Sequence, residues 1–338
     1  MQRFRDCPRL GYLSEHANGT GLQPIGEALE LATGIYLHDR LAGLRRHDIL
    51  PQWEGVRQAI GLAYADSDPD ALEREHWWLL EGLVEAWVRV RMPNEFSLYE
   101  SVSTEDEIIV ELGSGVYDAL RCDWLKRRRS DGGLFYHEFK SARDPNGRWQ
   151  RQWDTSLQVL LNIGALERAL HERIEGVFVE ALKKGERKWD DEKMRPVLQS
   201  PLVYTYTKDS KISWKYRAGW AKTPTSEVYE SPLAMIQAAD PDDLESLFEL
   251  VGPLRPIPEH VERAVQGVVR QEWSVQARLG GHPSDSDFPL DSLFPVHEDT
   301  CQRYPNPCPF MPICFGGLQD PLDNGFMPRV PHHLTEIP

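Results

Sequence analysis

The sequence predicts an α/β protein in which a mixed central β-sheet is flanked by helices. Three observations carry that class. Helical periodicity opens the chain, yields to short β-like runs after Pro93, and returns twice further on. Two apolar runs, Ala119 to Leu125 and Leu134 to Lys140, flank Arg129-Ser130-Asp131-Gly132-Gly133, which has the turn chemistry of a tight hairpin. The chain has 338 residues, 41% of them hydrophobic and 27% charged, and so can bury a sizeable core without disulfide staples.

The elements follow in order. Ile25, Leu29, Ala32, Tyr36 and Leu37 recur at helical spacing, which predicts a helix over 23–47 with Pro24 suited to its first turn. A second helix is predicted over 70–91, between Ser67-Asp68 and Met92-Pro93. Phe96 to Tyr117 holds β-like runs, including Glu107-Ile108-Ile109-Val110-Glu111-Leu112, and the hairpin comes next. Trp153, Leu157, Leu160, Leu161, Ala165 and Ala169 predict a helix over 151–173. Val177-Phe178-Val179 and Leu202 to Tyr206 read as strands, with a charged loop from Gly185 to Arg195 between them. Helices are predicted over 241–250 and 258–279, and the Pro-, Asp- and Gly-rich stretch beyond Gly280 as an extended surface tail.

Composition narrows the function classes. No run approaches the roughly 18 consecutive apolar residues of a membrane span, and Met1 to Pro8 has no apolar signal-peptide core. A cytoplasmic protein without a membrane partner is expected. The net charge of −15 argues against a protein that coats nucleic acid. Any such contact should be local, on Lys126-Arg127-Arg128-Arg129 or on Arg143, Arg148 and Arg151. Charge runs are, however, ordinarily solvated faces.

The hairpin carries the most chemistry. Alternate residues of a strand share a face, so Glu138 and Lys140 point the same way, and Asp123 on the neighbouring strand can point there too. Two carboxylates suit a hard cation such as magnesium or manganese. An ammonium beside them would stabilise charge developing on phosphoryl oxygens. A Glu-x-Lys triplet alone is ordinarily a surface ion pair. Similar triplets at Glu186 to Lys188 and Asp191 to Lys193 lack a preceding apolar strand.

Of the five cysteines, Cys301, Cys308 and Cys314 cluster near the C-terminus and Cys7 lies near the N-terminus. The late set has no Cys-x-x-Cys pair, unlike a common zinc ribbon, although spacing alone does not choose the metal. Cys122 reads as a buried strand residue.

Taken in order, these residues resemble the RecB-like and Cas4-like nucleases of the PD-(D/E)xK superfamily. Gly34-Ile35-Tyr36-Leu37-His38 is similar to the Gly-x-x-x-His helix motif. Leu120-Arg121-Cys122-Asp123 is similar to Gly-x-x-Asp, with Leu120 in place of the glycine. Glu138-Phe139-Lys140 matches Glu-x-Lys. Gln158 opens the Gln-x-x-x-Tyr motif, with Asn162 in place of the tyrosine. The resemblance implies a restriction-endonuclease-like core and a metal-dependent deoxyribonuclease, in particular an exonuclease. His38, Asp123, Glu138 and the Phe139 carbonyl would hold Mg²⁺ or Mn²⁺. Lys140 would serve catalysis, and Gln158 would position DNA or Lys140. Cys7, Cys301, Cys308 and Cys314 resemble the ligands of an iron-staple [4Fe–4S] cluster, with zinc as the alternative. Residues 1–22 would then be an N-terminal ligand segment, 23–280 the nuclease core and 281–338 a tail closing the cluster. The implied partners are DNA, single-stranded or with free ends, and a helicase or integrase-like protein. Two other readings stay open: an inactive DNA-binding subunit of a repair, recombination or CRISPR-adaptation complex, and a structural cluster protein. The intact Asp123, Glu138 and Lys140 favour the enzyme.

Overall fold

The computed structural model describes residues 22–63, 69–142, 145, 147–184, 186–190, 195–199, 202–206, 212–216, 232–280, 308–315, 321–323 and 325–328. A short strand β1 (Leu22–Pro24) leads into the helices α1 (Ile25–Gly43), α2 (Trp53–Ala63), α3 (Pro69–Val90) and α4 (Met92–Leu98). Then come β2 (Tyr99–Ser103), the hairpin β3 (Asp106–Gly113) and β4 (Val116–Cys122), and the strands β5 (Trp124–Arg128) and β6 (Leu134–Ala142). A helical turn α5 (Gly147–Arg151) precedes α6 (Leu157–Leu170), which crosses over to β7 (Ile174–Lys183). The hairpins β8 (Glu186–Asp190) with β9 (Arg195–Gln199) and β10 (Leu202–Tyr206) with β11 (Ile212–Tyr216) follow. The helices α7 (Pro232–Ala238) and α8 (Pro241–Glu245), strand β12 (Phe248–Leu254) and the long α9 (Pro258–Gly280) complete the main body. Near the C-terminus lie α10 (Met311–Phe315) and β13 (Phe326–Pro328).

The main sheet has five strands in the order β12-β7-β6-β5-β2. It is mixed: β6 and β7 run parallel, and the other pairings are antiparallel. A parallel pair needs a crossover, and α6 supplies it. Both faces are covered. Trp124 and Phe139 pack on one face with Tyr36, Leu37, Leu83 and Trp87 from α1 and α3. Leu125, Tyr136, Val177 and Val179 pack on the other with Ile163 of α6 and Val265 of α9. Coverage on both sides explains why Leu134 to Phe139 is continuously buried rather than alternating. The two outer helices approach closely at Gly164, where an added Cβ would lie 2.6 Å from a methyl of Val265.

The structure departs from the sequence-based expectations at several points, one being the helix expected over 151–173, which begins only at Leu157 after a 3-10 turn at Trp153–Thr155 and ends at Leu170. The expected strand over Ala119 to Leu125 is broken at Asp123, where β4 ends and β5 begins. Leu120, Cys122 and Leu125 all enter the same core layer. A continuous strand would send Cys122 and Leu125 to opposite faces, so the backbone must bend between them. The expected helix over 241–250 stops at Glu245. Phe248 and Val251 lie against opposite core layers, the alternation of a strand that extends the sheet beside β7. The expected loop from Gly185 to Arg195 contains β8, paired with β9. The described part of the tail is packed: β13 pairs antiparallel with β1, and the buried rings of Phe310 and Phe326 sit 5.2 Å apart. No described helix is long and apolar enough to cross a membrane.

Candidate metal centre

Four elements converge on one pocket of about 410 Å³. β6 contributes Glu138, Phe139 and Lys140, the bend between β4 and β5 contributes Asp123, α1 contributes His38, and the first turn of α6 contributes Gln158. All the core residues singled out from the sequence therefore line a single cavity.

Their hydrogen bonds divide the labour. Asp123 Oδ2 accepts the Phe139 N–H at 2.7 Å, while Oδ1 lies 3.4 Å from His38 Nδ1. The Lys140 ammonium donates to Glu138 Oε1, which also accepts the Gln158 side-chain amide at 2.9 Å. Glu138 Oε2 is buried and accepts no hydrogen bond from the described residues. Asn162, in the place of the motif's tyrosine, donates its amide to the Tyr136 hydroxyl at 2.9 Å. A phenol is thus present beside α6, but β6 supplies it.

One member of the site was not legible in the sequence. Glu105 sits in the turn between β2 and β3 with φ of 54°, a left-handed conformation uncommon outside glycine. Its Oε2 lies 2.7 Å from Arg121 Nε, and its Oε1 is buried, 3.8 Å from His38 Nδ1. Donor atoms of His38, Glu105 and Asp123 all lie within 4.8 Å of one another. Nothing in Ser103-Thr104-Glu105-Asp106-Glu107 distinguishes Glu105 from its acidic neighbours, because its role depends on a fold that brings β4 alongside.

The electrostatics are those of a crowded acid site. Burial, reinforced by the charge of Asp123, raises the Glu105 carboxyl to about 7 and pushes Glu138 up as well. Burial also works against the Asp123 carboxylate, but His38, Lys140 and the Phe139 N–H hold it below its ordinary value. For His38, burial opposes the imidazolium, yet Asp123 and Glu105 outweigh it and raise the group to about 9. Two buried carboxylate oxygens that accept no hydrogen bond from the described residues, on Glu105 and Glu138, are costly unless a positive charge meets them. An imidazole nitrogen and several carboxylate oxygens match the donor chemistry of a divalent cation, and the residues present fit one.

The basic run beside the site is not a free track for nucleic acid. Lys126 is fully buried. Arg127 is bidentate to Glu172 at 2.5 and 2.9 Å, and Arg128 pairs with Asp131 and Glu175. Arg129 is half-exposed near Glu100. Arg143 and the Arg148 side chain lie outside the described residues, and Arg151 is exposed.

Of the expected cluster ligands, Cys7 and Cys301 lie outside the described residues. Cys308 and Cys314 are half-buried around α10, where Met311 N–H donates to the Cys308 carbonyl at 3.1 Å. Cys122 is buried in the core, as its strand position predicts. No protein-family model matches the sequence, and no curated protein is significantly similar to it.

Proposed function

We propose that the protein is a metal-dependent deoxyribonuclease of the PD-(D/E)xK type that hydrolyses phosphodiester bonds in DNA with free ends or single-stranded character. The observation that carries this reading is the convergence of Asp123, Glu138 and Lys140 on one pocket in which carboxylate oxygens are buried without donors among the described residues. His38, Asp123 and Glu138, with the Phe139 carbonyl, would hold Mg²⁺ or Mn²⁺. Such a cation polarises a phosphate and lowers the pKa of its water. The chain's own groups do the rest. Glu138 Oε1 anchors the Lys140 ammonium on the pocket side of β6, where it stabilises negative charge on a phosphoryl oxygen. Gln158 fixes that carboxylate from the second side and so restricts its rotation. The acid-rich wall repels phosphate in the absence of a cation, so DNA binding in the pocket should itself require metal.

The test is incubation of end-labelled single- and double-stranded DNA with purified protein in manganese, in magnesium and with chelator. Shortening of the label only in the metal arms is expected. Identical, uncut DNA in every arm, from protein shown to bind metal, would favour an inactive DNA-binding subunit instead.

The same proposal includes a [4Fe–4S] cluster on Cys7, Cys301, Cys308 and Cys314, four thiolates being the usual complement. Its support is topological: β1, which follows Cys7 by a short stretch, pairs with β13, which follows Cys314 by a short stretch. Protein purified without oxygen should be brown and contain iron and sulfide. Cys308→Ser should bleach it and lower its melting temperature, because cluster binding free energy is folding free energy. Colourless protein carrying one zinc per chain would replace the cluster with the zinc alternative.

A further inference from the structure

We infer that Glu105 is a metal ligand completing a His38–Glu105–Asp123 donor set, and that Arg121 is the residue that positions it; this rests on the metal-dependent reading above. Glu105 lies outside the motif order that singled out the other site residues, and Arg121 occupies only a variable position within it.

The geometry shows carboxylates whose two oxygens have different tasks. Asp123 commits Oδ2 to the Phe139 N–H and leaves Oδ1 facing His38. Glu105 commits Oε2 to Arg121 Nε at 2.7 Å and leaves Oε1 without a hydrogen bond from the described residues. The Glu105 side chain is only 2% exposed, so bulk solvent does not reach that oxygen. Glu138 shows the same division, with Oε1 holding Lys140 and Gln158 and Oε2 without a hydrogen bond from the described residues, but it falls outside the compact donor triad.

The support behind Glu105 is equally specific. Arg121 reaches past it to Asp39, its second nitrogen lying 2.7 Å from Asp39 Oδ1, so the guanidinium is clamped at both ends. The guanidinium bridges the two carboxylates with one contact to each and so restrains the Glu105 side chain. The Glu105 N–H donates to the Cys122 carbonyl at 2.6 Å, which ties the turn to the residue immediately before Asp123. Glu105 makes that contact from a left-handed backbone conformation, which is uncommon for a residue with a side chain. One imidazole and two carboxylates leave coordination positions open, and the nitrogen favours Mn²⁺ over Mg²⁺.

Calorimetric titration of the full chain with Mn²⁺ alone tests this, with melting temperature as a check on folding. Glu105→Gln should weaken Mn²⁺ binding by at least about 10-fold while the protein stays folded. Arg121→Gln should weaken it by about 10-fold, the usual effect of removing a group that orients a ligand, and Arg121→Lys should recover part of the loss. Cobalt(II) bound in place of manganese should change its visible spectrum in Glu105→Gln, which a purely structural role would not cause. Wild-type affinity and an unchanged cobalt spectrum in folded Glu105→Gln would overturn the inference and leave the motif set standing. Should that variant not fold, Arg121→Gln carries the test, since an uncharged amide cannot hold both Glu105 and Asp39; unchanged Mn²⁺ affinity in folded Arg121→Gln overturns the inference. Wild-type protein that binds no Mn²⁺ would overturn both the inference and the metal-dependent reading beneath it.

Discussion

Glu138→Gln is expected to lower metal-dependent DNA cleavage by on the order of 10²- to 10³-fold, the usual effect of removing one preorganised electrostatic contact at a reacting centre. The substitution is nearly isosteric and keeps an oxygen for Lys140 and Gln158, so the pocket should hold its shape. What it removes is charge. In the folded protein, burial and the nearby Asp123 already disfavour the Glu138 carboxylate. A group with a raised folded pKa destabilises the fold above its unfolded pKa, so neutralising it should leave the melting temperature at neutral pH unchanged or higher. The prediction is therefore a dissociation of activity from stability: less cleavage and no loss of fold. Lys140→Ala should show a comparable loss of cleavage. Full activity in either variant, on clean DNA with manganese present, would remove the Glu-x-Lys pair from the chemistry. A lowered melting temperature that tracks the lost activity would make Glu138 a structural residue.

The second large effect lies away from the pocket mouth. Lys126→Ala should destabilise the fold by about 3–5 kcal/mol, the range for breaking a buried ion pair from one side. Lys126 Nζ lies 2.5 Å from Glu95 Oε2 and 2.9 Å from His137 Nδ1, beneath the rings of Tyr99, Phe178 and Trp124. Burial, and next the Lys126 charge, keep His137 far below its ordinary value and therefore neutral. Its Nδ1 can then accept from Lys126, while Nε2 faces Glu180 at 3.2 Å. Glu180 also takes the Trp87 indole N–H at 3.1 Å and meets Arg91. Removing the lysine strands Glu95 and leaves a cavity among aromatic rings. Lys126→Met restores most of the volume but not the charge, so it separates packing from electrostatics. Arg129→Ala, at an exposed position of the same run, should cost well under about 1 kcal/mol. Chemical denaturation measures all three. Equal, small effects for Lys126 and Arg129 would mean that the buried network contributes nothing to stability.

These two predictions also mark what the sequence could and could not reveal. Glu138 and Lys140 were legible because a strand has a period of two, and an apolar strand with charges on one face is unusual. His38 and Gln158 were legible only through motif order, since neither stands out on its own helix. Glu105 and Arg121 were not, because an acid in an acidic turn acquires its meaning from the strand beside it. The bend at Asp123 was visible in retrospect as a break in alternation, with Cys122 and Leu125 three apart in one core layer. Lys126 was misread for a general reason. A run of four basic residues looks uniform, yet the pleat sends Lys126 inward to Glu95 and Arg127 outward to Glu172. The segment 241–250 failed on length, since a short apolar run fits helix and strand equally well.

The pairing of β1 with β13 bears on how the pocket is built. β1 runs directly into α1, and α1 carries His38. The helix that forms one wall of the site is thus moored, at its first turn, by a segment some three hundred residues later in the chain. Sequence distance and mechanical distance are inverted: a partner, protease or oxidant acting near Phe326 would act on the mooring of His38. A rigid helix about 1.5 Å long per residue transmits a tilt at its start to the histidine partway along it. The last described strand is in this sense a keel for the first helix, and the alignment of the imidazole is inherited from a segment far from the pocket residues in sequence.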